Sequence, residues 1–283
     1  MAIIAFWSDE EKETGQTMSI VALSTYMAIK HNYRILNVDT SFRDQTLENS
    51  FWNLSKEEKL VKKIVQDQNQ LGVESGVEGL LKMIRSNRIE SRIVPNYTRV
   101  VFKEKLDVLC PPKTNKYDAY KEIAEKYTTI IQVANRSYDL VFVDISKMLP
   151  KSQVKQILEI SDIIIVNISQ RLKIIDEFLK LRMENEFFKK NNIMINVGRY
   201  DHYSKYNIKN LTRYMGEKKD IHAIPYNTLF FEACSESNVT ELFWRLSDIL
   251  ETDPEDRNAL FIKEIDRLSK DLLYKMQELQ LKA

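Results

Sequence analysis

The chain has 283 residues, 43% of them hydrophobic and 29% charged, which is ordinary globular composition with room for one large α/β domain or two small ones. A net charge of +1 supplies no overall field toward nucleic acid or a membrane. Two distant cysteines, Cys110 and Cys234, and three scattered histidines exclude a disulfide framework or structural zinc site and fit a reducing compartment.

In chain order, residues 3–7 (IIAFW) read as a buried strand, followed by a polar turn through Gly15 and a helix over 17–30. Residues 33–38 (YRILNV) form a strand ending at Asp39. The stretch 44–105 is the least regular and holds Gly72, Gly76 and Gly79. Helices over 56–68 and 77–86 and connecting loops inserted in the same domain account for it, with no strand set of its own. The run KEEKLVKK at 56–63 mixes signs and reads as a solvated helix face. A strand at 106–110 stops at Pro111 and Pro112, and a helix covers 116–134. Strand 140–143 ends in Asp144, strand 163–166 in Asn167, strand 193–197 in Gly198 and strand 222–224 in Pro225. Between and after them lie helices over 151–159, 171–189, 207–215 and 238–249. About seven strands, each apolar on both faces, predict an α/β fold: a doubly wound, mostly parallel sheet of about seven or eight strands between two helical layers. Residues 1–250 make this domain and 251–283 a helical extension. No apolar run approaches about 18 residues, so neither a signal peptide nor a spanning helix is expected, and a cytoplasmic chain is.

In the extension, Phe261, Ile265, Leu268, Leu272, Met276 and Leu279 form one stripe, with Lys263, Glu264, Arg267, Lys270, Asp271 and Lys275 elsewhere. Three destinations are open to that stripe: the chain's own domain, a partner or second subunit, and a membrane surface.

The polar residues that carry chemistry sit just past strand ends, where open α/β sheets bind ligands. EKETGQT at 11–17 has the outline of a phosphate-binding loop, in which Lys12, Glu13, Thr14, Gly15, Gln16, Thr17 and Met18 would surround the anion. A working loop carries lysine immediately before the threonine, and here that position is Gln16. Glu11 and Glu13 add negative charge, offset only by Lys12. Losing one charge-assisted phosphate contact costs about 1.5–3 kcal/mol, so weak nucleotide binding or none is expected. A turn that never meets a nucleotide is the alternative. Thr17, Asp39 and Asp144 together could surround one Mg²⁺ ion. Lys82, Arg85, Arg88, Arg92 and Arg99 form the one basic cluster, which Glu90 interrupts, and no nucleic acid partner is expected.

Taken together, the chain resembles the MinD/ParA family of deviant Walker A ATPases over residues 2–250, and most of all its CpaE/TadZ pilus-assembly branch. The landmarks are EKETGQT at 11–17, NVDTSFRD at 37–44, LDVLCPP at 106–112, YDLVFVD at 138–144, SDIIIVN at 161–167, NVGRYD at 196–201 and IPYNTLFFEA at 224–233. The resemblance implies ATP bound in a cleft that closes between two subunits. It places Gln16 and Glu11 where the family has its two lysines, and Ser41 where it has the water-activating acid. Thr17, Asp39 and Asp144 match the magnesium-binding threonine, the switch acid and the Walker B acid. Gly198 stands at the adenine-reading asparagine, with Asn196 nearby to compensate, beside Arg199. Pro225 and Tyr226 wall the base pocket. What this implies is a pseudo-ATPase with no catalytic residues left. It would act as adaptor or localisation factor for a pilus, secretion or related membrane-associated assembly. An ATP-dependent positioning switch is the alternative, and a DNA-partitioning ATPase a further one. ATP and Mg²⁺ are its implied ligands, if any are bound. Protein partners, a homodimer and peripheral membrane contact are its implied associations. The branch's receiver-like domain is expected to be absent, since the first strand begins at residue 2 or 3.

Overall fold

The structure is a computed structural model that describes residues 1–9, 14–53, 76–86, 91–189, 192–217, 221–247 and 256–281. The helix expected over 56–68 and the boundary at 250/251 lie outside the described residues.

Eight strands form one sheet: β1 Ala2–Trp7, β2 Ile35–Asp39, β3 Arg99–Phe102, β4 Leu106–Leu109, β5 Leu140–Asp144, β6 Ile163–Ile168, β7 Ile193–Tyr200 and β8 His222–Pro225. Their order is β3-β4-β2-β5-β1-β6-β7-β8, so β2, β5 and β1 occupy the centre as their two-faced apolarity requires. Every pairing is parallel except β3 with β4. Strand β3 corrects the reading of residues 44–105 as helices and loops alone. It is an antiparallel edge strand, half-exposed along its length, so its residues carry no continuous apolar run.

Alternation along each strand divides the interior into two cores. Ile3, Ala5 and Trp7 of β1 face one, and Ala2, Ile4 and Phe6 the other. On the second side lie α1 (Gln16–Lys30), α2 (Thr46–Phe51), α9 (Thr228–Glu236), α10 (Val239–Leu246) and α11 (Arg257–Gln280). The first side carries α3 (Gly76–Arg85), α4 (Tyr117–Ala124), α5 (Tyr127–Ala134), α6 (Lys151–Ile160), α7 (Leu172–Glu184) and α8 (Ile208–Tyr214). The single helix expected over 116–134 is two, α4 and α5. From them Tyr120 donates to the Thr40 carbonyl at 2.7 Å and Tyr127 to the Asp39 carbonyl at 3.3 Å, pinning the end of β2.

Helix α11 is capped by the Asp256 carboxylate, which accepts from the Asn258 and Ala259 amides. Its stripe lies on its own domain: Phe261, Ile265, Leu268 and Leu272 have no exposed surface and pack in the α1-side core. Tyr26 of α1 donates to Asp266 at 2.8 Å, and His31 meets Ser269 at 3.0 Å. Of the three open destinations, the partner and the membrane surface are thus denied the centre of this stripe. Among the described residues no helix is long and apolar enough to cross a membrane.

Candidate functional site

A cleft of about 690 Å³ opens at the C-terminal ends of the central strands, over the start of α1. Thr14, Gly15, Gln16, Thr17 and Met18 line it on one side, and Ser41, Asp144, Arg199, Pro225 and Tyr226 complete its walls. Glu11, Lys12 and Glu13 lie outside the described residues. Asp39, Asn196 and Gly198 are not on the cleft surface.

Helix α1 starts from Gly15, whose φ of +66° is the left-handed conformation that favours glycine. The helix has no side-chain cap and no acid in its first turn, so its leading amides face the cleft with the positive end of the helix behind them. Gln16 lines the cleft, but its side-chain amide is engaged within the protein. Its amide nitrogen donates to Asp144 Oδ1 at 2.6 Å and to the Ile145 carbonyl at 3.0 Å. Thr17 Oγ1 donates to the other Asp144 oxygen at 2.7 Å. Asp144 is therefore held by both residues that flank the start of the helix.

Asp39 and Asp144 stand side by side, in register across β2 and β5. Asp39 is buried and accepts from the Ser41 amide at 2.8 Å. Burial pushes its carboxyl well above the usual range, and the neighbouring Asp144 charge pushes further. Burial also raises Asp144, while hydrogen bonds from Thr17 and Gln16 pull it back. Asp39, expected at the metal, thus sits beneath the cleft rather than on it. The remaining donors are hard oxygens, the Thr17 hydroxyl and the Asp144 carboxylate, and this chemistry fits Mg²⁺. Among the described residues no three Asp, Glu, His or Cys side chains converge on one point.

The raised pair has a pH consequence. The folded state holds protons that the unfolded chain has released, so this contribution to stability is complete below the unfolded pKa and is lost as pH rises through the folded one. In metal-free protein, Asp39→Asn is expected to melt higher than wild type at neutral pH, with the advantage vanishing toward about pH 4. An advantage that instead grew in acid would contradict the raised carboxyl. Thermal melts across that range with a chelator present are the check.

Asn196, expected to compensate for the adenine-reading asparagine that Gly198 replaces, has its amide engaged inside the protein. The Asn196 amide is fully buried and donates to Ser19 Oγ at 3.1 Å and Asn167 Oδ1 at 2.9 Å, tying β7 to α1 and β6. Gly198 allows backbone contact: a Cβ there would lie 2.0 Å from the Thr14 carbonyl oxygen. Ser41 gives its hydroxyl to the Asp44 carbonyl at 2.6 Å. Asp44 lines the cleft itself and was not foreseen; nor was Lys147, three residues past Asp144, or the aromatic pair Phe230 and Phe231 in the IPYN segment.

No protein-family model matches the sequence, and no curated relative does. Solved structures do. A ParA family ATPase from Chlorobium tepidum TLS aligns with a TM-score of 0.68 at 16% identity, over 95% of this chain and 98% of that one. The septum site-determining protein MinD from Pyrococcus horikoshii OT3, complexed with Mg-ADP, gives 0.62 at 15% identity over 97% and 98%. A plasmid partition protein from Borrelia burgdorferi B31, bound to AMPPNP, gives 0.55 at 16% identity over 99% and 98%. The fold is that of the MinD/ParA ATPases. None of the three carries a pilus-assembly name; they are named as a ParA family ATPase, a septum site-determining protein and a plasmid partition protein. One expectation is corrected by these likenesses: the exclusion of nucleic acid falls, because a protein named for plasmid partition shares this fold. A net charge near zero describes the whole surface and does not bar a local DNA contact.

Proposed function

We propose that this chain binds a magnesium nucleotide and works as a positioning switch of the MinD/ParA kind, with turnover far slower than in a site that keeps its lysines. The observation that carries the reading is the group at the cleft floor. Gly15 turns the chain into α1, and Thr17 and Asp144 meet at 2.7 Å beside the leading amides. In this reading those amides take the phosphates, and Thr17 and Asp144 hold Mg²⁺ with Asp39 behind them. Pro225 and Tyr226 flank the base. The ion, when bound, offsets phosphate charge and polarises the phosphoryl oxygens. Gln16 brings no charge to the transferred group, and Ser41 brings no carboxylate to water, so hydrolysis lacks both of its usual protein contributions. The narrower assignment to a pilus or secretion assembly rests on the GRYD and IPYN landmarks alone. By the plasmid-partition likeness, DNA belongs among the cargoes to test.

Titration of nucleotide-free protein with labelled ATP and ADP, with and without Mg²⁺, tests the reading. Saturable, Mg²⁺-enhanced binding is expected, with phosphate release near background. Failure of both nucleotides to bind would refute it, and rapid release abolished by Asp144→Ala would refute the slow turnover. Gln16→Lys is expected to tighten ATP binding by about tenfold, the scale of one charge-assisted contact. Weaker binding in that variant would mean that the amide bridge to Asp144 matters more than the missing charge.

A further inference from the structure

The loop has Gln16 and Glu11 where the resemblance implies lysines, yet a nucleoside triphosphate carries several negative charges and the end of α1 offsets only about half of one. Two cations outside the loop stand on the cleft walls. Lys147 follows β5, and its ammonium lies against the Ser8 carbonyl at the end of β1, 5.4 Å from the centre of the Trp7 ring. The side chain is exposed and forms part of the cleft lining. Arg199 stands on the β7 side. Its Cγ lies 3.1 Å from where a Cβ on Gly15 would sit, so its stem runs beside the residue that opens α1. The Arg199 backbone has a φ of +51°, a left-handed conformation unusual for a branched or long side chain, and the guanidinium has no ion-pair partner among the described residues. Among the described residues, the other charged side chains lining the cleft are Asp44 and Asp144. Asp44 is engaged by the Thr46 amide and hydroxyl at 2.9 and 2.6 Å, and Asp144 by Gln16 and Thr17.

We propose that Lys147 and Arg199 are the phosphate-contacting cations of this site, supplying from β5 and β7 the charge that Gln16 and Glu11 no longer supply from the loop. The proposal rests on the nucleotide reading above and narrows it: the ligand is a nucleoside di- or triphosphate, recognised mainly through its phosphates. Arg199 offers a planar fork that takes phosphate through two bonds, and Lys147 a compact charge. Both side chains are exposed, and neutral replacements are expected to keep the protein folded.

Fluorescence titrations of ATP and AMP against wild type, Lys147→Gln, Arg199→Gln and the double variant, with thermal melts of each, form the test. Each single change is expected to weaken ATP about tenfold, which is about 1.4 kcal/mol, and the double change about a hundredfold. AMP affinity should change little, and melting should not change. Arg199→Lys should recover part of the loss, as a lost charge requires and lost packing does not. If wild type binds ATP and both single variants bind it as tightly, the two cations are elsewhere in function and the inference falls while the nucleotide reading stands. If ATP and AMP weaken equally, the contact is not to the added phosphates and the inference again falls. If wild type binds no nucleotide, both readings fall together.

Discussion

Leu268→Glu is expected to unfold the protein rather than to free a partner. Leu268 has no exposed surface and packs with Phe261, Ile265 and Leu272 into the core beneath α1 and β8. Truncating such a side chain to alanine costs about 2–5 kcal/mol. A carboxylate in its place adds the cost of burying charge, or of protonating it, with no cation assigned there. Set against a typical total stability of about 5–15 kcal/mol, the glutamate variant should melt far below wild type or fail to fold. Leu268→Ala, still folded, should lose stability by the smaller amount. Circular dichroism melts with light scattering decide it. A Leu268→Glu protein of wild-type melting temperature that has lost an oligomer would reverse the assignment of this helix to the domain.

Gly198→Ala should destabilise the protein by addition of a single methyl. Its Cβ would lie 2.0 Å from the Thr14 carbonyl oxygen and 3.2 Å from the Gly15 Cα. Both are backbone atoms, so no flexible side chain can move aside. Overpacking of this kind costs about 1–3 kcal/mol, and relief requires the loop to lift from the end of β7. Stability and nucleotide affinity are therefore expected to fall together. Gly216→Ala is the control. Its φ of +68° carries a handedness cost that Gly198 does not, and nothing lies within 4 Å of the added methyl, so a loss of about 1–2 kcal/mol with affinity intact is expected. A Gly198→Ala protein that melts and binds like wild type would show that the loop can stand off β7 freely.

What could be read from the sequence follows from where each residue sits in the sheet. The central strands were legible because burial on both faces makes them continuous apolar runs, as in LVFV and IIIV. Strand β3 was not, because an edge strand with Arg99 and Val100 partly in solvent has no such run. Helices α2 and α9 escaped for different reasons. The first has only six residues, too few to show a helical period, and the second begins inside a segment read as a motif. In the site, Gly15, Thr17 and Asp144 could be placed by spacing because each belongs to a strand end or the turn that follows it. The fate of Asn196 could not. A polar residue on a strand reads the same whether it faces a ligand or, as here, two internal partners at 2.9 and 3.1 Å. Lys147 gave no signal at all, since one lysine past a strand end is ordinary until the fold sets it across the cleft from Arg199.

The central position of β1 also shapes how the chain comes into being. Its neighbours are β5, where Ala2 pairs with Leu140, and β6, where Ile4 pairs with Ile163. At about 5–20 residues per second, a ribosome needs roughly ten to thirty seconds to reach the first of them. Throughout that interval IIAFW has neither flanking strand to pair with, and helix α11, which closes one face, is synthesised after all eight strands. A nascent or truncated product that stops before residue 140 therefore carries a fully apolar central strand with neither of its flanking strands made. Early chain termination and slow translation are therefore hazards set by strand order, which the stability of the finished domain does not relieve.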